Sequence, residues 1–189
     1  FNTHNNDNIR HITGAERTKW DGVVTDFGNL EIGGRNLVKN SNNNDLFNIF
    51  RAGVQYTKTS GVTVPEWKAS EANRIQTTGG SELLKFYATL ININGEILAG
   101  DTVSASIYIK NNSANSIKVD SNLGGREQTI SAGQAVRIRW DNIQFNNVNP
   151  LQVRVYGAFT TDSLDFIWWR AKAEKGTKAT DWTPAPEDQ

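Results

Sequence analysis

Apolar and polar residues alternate along most of this chain. From residue 101 to residue 110, Val103, Ala105, Ile107 and Ile109 fall on one side, and Ser104, Ser106, Tyr108 and Lys110 on the other. A period of two with one polar side specifies a strand with one face buried. Residues 134–145 repeat the pattern, with Val136, Ile138 and Trp140 opposite Arg137, Arg139 and Asp141. So do residues 151–159, where Val153 and Val155 alternate with Arg154 and Tyr156. In residues 165–174 the same parity predicts Ile167, Trp169, Ala171 and Ala173 inside, and Trp168, Arg170, Lys172 and Glu174 outside. Shorter strands are predicted at 53–58, 73–78, 83–90, 116–120 and 126–130.

Runs rich in Asn and Gly separate these segments, because both residues accept left-handed backbone angles cheaply. Leu98-Ala99-Gly100-Asp101 and Ser131-Ala132-Gly133-Gln134 each precede a long strand and read as turns feeding it. Many antiparallel strands with one wet face predict an all-β, two-sheet β-sandwich, with jelly-roll topology preferred. No convincing helical period interrupts residues 35–189.

The first 34 residues differ. Thr13 followed by Glu16 makes a capping box, and Trp20, Val23, Val24 and Phe27 mark one helical face. Gly28 and Gly33-Gly34 close the segment. The expected organisation is a short N-terminal helix in an attachment segment, residues 1–34, followed by a sandwich, residues 35–189. The helical stripe either packs on its own domain or meets copies of itself or a larger protein.

Composition narrows the function. The 189 residues include no Cys, so disulfides, thiolate metal sites and Cys nucleophiles are excluded. The formal net charge is zero, which leaves no electrostatic footprint for nucleic acid or an anionic membrane, and the apolar stretches are too short to span a bilayer. The chain opens at Phe1 and not at Met, as expected of a piece of a longer protein. The only histidines are His4 and His11, outside the sandwich, so the sandwich can hold neither a Ser-His-Asp triad nor a histidine metal cluster. No phosphate loop is present, and the twenty acidic residues form no distinctive constellation. The chain is therefore expected to be non-catalytic, without cofactor or metal.

Aromatic residues make up 10% of the chain, six of them Trp. A sugar presents an apolar C–H face ringed by hydroxyls, so a site for it needs a flat ring and polar side chains at the rim. Trp67 is the leading candidate, because Val64-Pro65-Glu66-Trp67-Lys68 has no core periodicity. Tyr56, Tyr108, Tyr156 and Trp168 are assigned to polar strand faces, and Arg154 is a candidate donor to hydroxyls or to an anionic substituent. Trp140 and Trp169 share parity with aliphatic neighbours and are assigned to the core.

Three stretches carry a resemblance. His11-Ile12-Thr13-Gly14-Ala15-Glu16-Arg17-Thr18-Lys19-Trp20 resembles a short helical motif of tail-fibre and baseplate proteins from phages of Gram-positive bacteria. Gly34-Arg35-Asn36-Leu37-Val38-Lys39-Asn40-Ser41 resembles the first strand of carbohydrate-binding-like modules in phage minor tail proteins, and the closing run from Glu174 through Trp182 to Asp188 resembles their end. The group resembled is that of lactococcal baseplate and accessory receptor-binding proteins. The resemblance implies a jelly-roll module on the virion, at the tail tip or baseplate. Its implied partners are host cell-wall polysaccharide and, through the N-terminal segment, other tail proteins. A structural tail module binding only virion proteins is the alternative. Many such modules hold a calcium ion near the last strand. Here Ile167-Trp168-Trp169-Arg170 stands where relatives often carry Asp, so only Asp165 is left nearby to support an ion.

Overall fold

The computed structural model describes residues 13–28, 34–39, 41, 44–49, 55–77, 85–92, 95–123, 125–146, 148–157 and 163–186. The chain divides into two compact units, Phe1–Ile32 and Gly33–Gln189.

In the first unit, helix α1 spans Gly14–Gly28. Its capping box is formed as the sequence predicts. The Glu16 carboxylate accepts from the Thr13 backbone N–H at 2.7 Å, and the Glu16 N–H donates to the Thr13 hydroxyl at 3.2 Å. Trp20 (63%) and Val23 are exposed. The side chains of Val24 and Phe27, the other half of the predicted stripe, lie outside the described residues, as do His4 and His11.

The second unit is the expected sandwich. Its strands are β1 (Phe47–Ile49), β2 (Tyr56–Val64), β3 (Ala69–Thr77), β4 (Lys85–Ile91), β5 (Thr102–Asn111), β6 (Ile117–Ser121), β7 (Gln128–Ile130), β8 (Ala135–Gln144), β9 (Leu151–Gly157) and β10 (Asp165–Lys175). They form two five-stranded antiparallel sheets, β1-β4-β9-β6-β7 and β2-β3-β10-β5-β8, the jelly-roll arrangement. The two Gly-containing turns behave as predicted. Gly100 and Gly133 take positive φ of 93° and 77°, with Asp101 N–H donating to Leu98 O and Gln134 N–H to Ser131 O, each at 3.1 Å.

The core fills the space between the sheets. Val103, Ala105, Ile107 and Ile109 meet Val119, Val153 and Val155 across it, and Trp140 is buried with them. An aromatic ladder links the layers. Phe47 lies 5.2 Å from Trp168 and 5.6 Å from Phe166, and Phe86 stands 5.8 Å from Phe166 and 5.6 Å from Tyr56.

Trp168 corrects the parity expected for β10. It is fully buried in the core between the sheets and does not face solvent. The cause is a β-bulge between Trp169 and Lys172, where Arg170 adopts φ 52°. Ahead of the bulge Phe166 and Trp168 point inward. After it Ala171 and Ala173 do. Ile167 and Trp169 thus fall on the outer face.

Two polar clasps fix the ends of the sandwich. Asn36 is fully buried: its amide N–H groups donate to Ala171 O at 3.0 Å and Thr183 O at 3.1 Å, and its carbonyl accepts from the N–H groups of Val38 and Ala173. Every side-chain bond it can make is thus directed at the backbone. The second clasp lies under residues 176–183, which cross the outer side of β10. Lys172 and Glu174, both essentially buried, pair at 3.1 Å. Lys172 also donates to the Thr180 hydroxyl at 2.7 Å and to Asp181 O at 2.9 Å, while Glu174 accepts from the Thr180 N–H at 2.6 Å. Arg137 adds an ion pair to Asp181 at 2.9 Å and a hydrogen bond to Thr180 O.

Candidate functional site

The outer face of the sheet β2-β3-β10-β5-β8 carries a second apolar cluster, separate from the core. Val64, Ala69, Ala72, Tyr108, Ile167 and Trp169 are buried in it, and Trp67 packs on top, partly buried. Local sequence explains the placement. Pro65 starts a single 3-10 turn, Pro65–Trp67, and Lys68 closes it in left-handed conformation, its N–H donating to Pro65 O at 3.0 Å. The turn lays the Trp67 ring across the sheet.

There the ring centroid of Trp67 lies 5.3 Å from Tyr108 and 6.2 Å from Trp169, edge-on to both, while Tyr108 and Trp169 stack at 5.5 Å. Register explains that stack, since Trp169 on β10 is paired directly with Tyr108 on β5. Two guanidinium groups border the rings. Arg137 lies 5.5 Å from the Tyr108 centroid, and Arg170 lies 5.9 Å from both Tyr108 and Trp182.

A hydrogen-bonded ion pair anchors the Trp67 turn. Lys110 donates to Glu66 at 2.6 Å, and that bond is the first cause holding the Glu66 carboxyl below its ordinary range. A depressed carboxylate stabilises the fold above its unfolded pKa and loses that contribution as pH falls through the folded value. The turn is therefore expected to loosen as pH falls from about 4.3, the midpoint of an ordinary Glu, through the lower value of the folded carboxyl. Indole N–H resonances should report it, with Trp67 shifting in that range and Trp168 holding still. A Trp67 resonance that does not move between neutral pH and the acid limit of the fold would remove the anchor.

The predicted ligand residues separate into three groups. Trp67 and Tyr108 come together, although Tyr108 is only 9% exposed beneath its neighbours. Tyr156 and Arg154 lie on the outer face of the other sheet. Arg154 is committed to Asp120 by two 2.7 Å hydrogen bonds, and the Tyr156 hydroxyl donates to Glu127. Burial first, then that hydrogen bond, pushes the Tyr156 phenol up. Sheets pack about 10 Å apart, so these two groups on opposite faces cannot line one site. In the third group, Trp168 is in the core, whereas Tyr56 is exposed with its ring edge-on to the core ring Phe86, away from the Trp67 cluster.

Trp169, Arg137, Arg170 and Trp182 join the aromatic site without having been singled out as ligand residues. The signal available for Trp169 was its pairing partner, which only the register supplies. Asp165, the carboxylate nearest the expected ion position, is taken by Arg74 at 2.8 and 2.5 Å and by Gln76 at 3.2 Å. Among the described residues no group of three or more His, Cys, Asp or Glu converges.

No protein-family model matches the chain, and no curated protein matches it. Several solved structures share its broad form. The CBM22-1–GH10 modules of Clostridium thermocellum endo-1,4-beta-D-xylanase 10B, complexed with xylohexaose, are 12% identical with a TM-score of 0.48 over 79% of this chain, which spans 30% of that one. The C-terminal family 22 carbohydrate-binding module of the same xylanase is 14% identical with a TM-score of 0.49, covering 72% of this chain and 89% of that one. The enzymatically active domain of bacteriophage CBA120 tailspike protein 4 is 12% identical with a TM-score of 0.49, covering 75% of this chain and 21% of that one. At these identities and scores the likeness is one of general form and identifies no family.

Proposed function

We propose that the sandwich is a non-catalytic saccharide-binding module, and that it contacts sugar on the outer face of the sheet β2-β3-β10-β5-β8, with Trp67 as the stacking ring. One observation carries this: Trp67 is a partly buried indole held by a Pro-started, ion-paired turn above a stacked Tyr–Trp pair, with arginines beside it. A ring fixed in this way loses little conformational freedom on binding, which favours stacking against a pyranose face. Of the two flanking guanidinium groups, Arg137 is bonded to Asp181, Ser106 and Thr180, which leaves Arg170 as the donor for a ligand. Among the described residues no group of three or more His, Cys, Asp or Glu gathers there, and adhesion is the chemistry the rings favour.

The same reading extends to setting. The module is a phage tail or baseplate adhesin, carried on the virion and contacting host cell-wall polysaccharide. The sequence motifs at both ends of the sandwich support this. Weak single sites would then be multiplied by copy number.

Titration of the isolated protein with host cell-wall polysaccharide fragments tests the central claim. Trp67→Ala is expected to weaken binding roughly tenfold or more, on the scale of one lost aromatic contact plus its buried area. A variant that binds as tightly as the parent would remove the site. A chain that binds no polysaccharide but captures a baseplate protein would replace adhesion with a structural role.

A further inference from the structure

We infer that the sugar recognised at this face bears an oxyanion substituent, a carboxylate or a phosphodiester, held by Arg170 in a notch beside the aromatic cluster. This rests on the saccharide-binding reading and specifies its substrate class. The notch encloses about 110 Å³ and is lined by Lys68, Ala69, Ser70, Glu71, Trp169, Arg170 and Trp182. That is well below the roughly 300 Å³ at which ligand pockets begin. It fits a substituent and not a sugar ring.

Among the described residues, four arginines have no carboxylate partner; Arg17, Arg126 and Arg139 are exposed, and Arg170 is the partly buried one. Arg35, Arg74, Arg137 and Arg154 each meet a carboxylate within 4 Å, namely Glu96, Asp165, Asp181 and Asp120. Arg170 is partly buried and has no carboxylate partner among the described residues; its contacts are the faces of Tyr108 and Trp182. A guanidinium lying over a ring keeps its N–H donors in its own plane, directed past the ring edge. With no carboxylate on it among the described residues, the Arg170 fork is available for a planar or tetrahedral oxyanion, the geometry Arg binds with two parallel hydrogen bonds. Both indole N–H groups of the lining tryptophans, Trp169 and Trp182, are buried and have no acceptor among the described residues.

Backbone conformation adds an independent observation. Among the described residues three that are not glycine have positive φ: Lys68, Asn142 and Arg170. Two of the three line this notch, and both are cations. Strained non-glycine residues persist where the surroundings hold them, and they concentrate at ligand clamps. Glu71 stands on the lip, exposed, and leaves the notch with one net positive charge. An oxyanion there would meet two cations and one screened carboxylate.

The test is calorimetric titration with three probes at low salt: oligogalacturonate, a glycerol-phosphate oligomer and xylohexaose. At least one acidic probe is expected to bind about tenfold tighter than xylohexaose, the effect of a charge-assisted bidentate contact, and to weaken as salt rises. The arms distinguish carboxylate from phosphodiester. Arg170→Gln should erase the preference, bringing the acidic probes down to the affinity the same variant shows for xylohexaose. Arg170→Gly is the second variant. It relieves the left-handed strain, so the fold should hold its thermal midpoint while the preference is again lost. Glu71→Gln should strengthen acidic binding two- to threefold. Equal affinity for all three probes, or an acidic preference that survives both Arg170 variants, would overturn the inference and leave saccharide binding standing. Failure of every probe and of host polysaccharide to bind the parent protein would sink both.

Discussion

Glu174→Ala is expected to destabilise the sandwich by about 3–5 kcal/mol, because it strands a buried ammonium. Lys172 and Glu174 are almost fully withdrawn from water, and among the described residues each is the other's charge partner. Without the carboxylate, Lys172 keeps the Thr180 hydroxyl and the Asp181 carbonyl but loses its counter-charge, and the Thr180 N–H loses its 2.6 Å acceptor. Urea denaturation followed by intrinsic fluorescence measures the loss, which should also lower the thermal midpoint by roughly 10 °C in a sandwich of this size. Lys172→Met alone should cost a comparable amount, since it buries an unpaired carboxylate. The double variant Lys172→Met, Glu174→Leu should recover much of the loss, because apolar pairs often replace buried ion pairs at little net cost. The double-mutant cycle then isolates the coupling. A single variant within about 0.5 kcal/mol of the parent would show that water reaches the pair.

Trp168→Ala is expected to cost a similar 3–5 kcal/mol, by a different route: it empties a cavity at the centre of the aromatic ladder. Trp168→Phe is the informative companion. The Trp168 indole N–H is buried without an acceptor among the described residues, and an unsatisfied donor costs about 1–3 kcal/mol. Phenylalanine keeps a ring against Phe47 while deleting that donor, so its net change should stay within about 1 kcal/mol. Neither variant should change saccharide affinity at temperatures where it remains folded, because the ring faces away from the site. A loss of affinity for Trp168→Phe at full foldedness would return Trp168 to the list of ligand residues.

The history of Trp168 shows where the sequence is legible. Period-two alternation located the four long strands β5, β8, β9 and β10 to within about two residues, since each half-buried strand writes its own parity; of the shorter ones β2 is the poorest match, predicted at 53–58 and running Tyr56–Val64. β1 was missed because Phe47, Asn48 and Ile49 are too few to show a period. Parity failed inside β10. Phe166-Ile167-Trp168-Trp169 is apolar on both faces, so only the later residues, Ala171 to Glu174, could set the phase. That phase is right for them and wrong upstream, because the bulge at Arg170 inserts one residue between the two halves. Nothing in the identity of Arg announces a left-handed residue, as Gly or Asn would. At the site, Trp67 was legible as a ring outside any periodic segment. Its partners Tyr108 and Trp169 were not legible as a pair, because cross-strand register is a long-range property. The same limit placed Arg154 and Tyr156 with Trp67 when they occupy the opposite face.

The Asn36 clasp has a mechanical corollary. Gly34 and Thr183 are neighbours, joined by a 3.4 Å hydrogen bond from the Thr183 hydroxyl to the Gly34 carbonyl, and Asn36 ties the same two segments together. A pull applied between these flanks loads a short zipper that opens one bond at a time, and the strands of the two sheets bear little of the tension. The same closeness makes residues 34–183 a cassette that a surface loop of another protein can accommodate without spreading its ends.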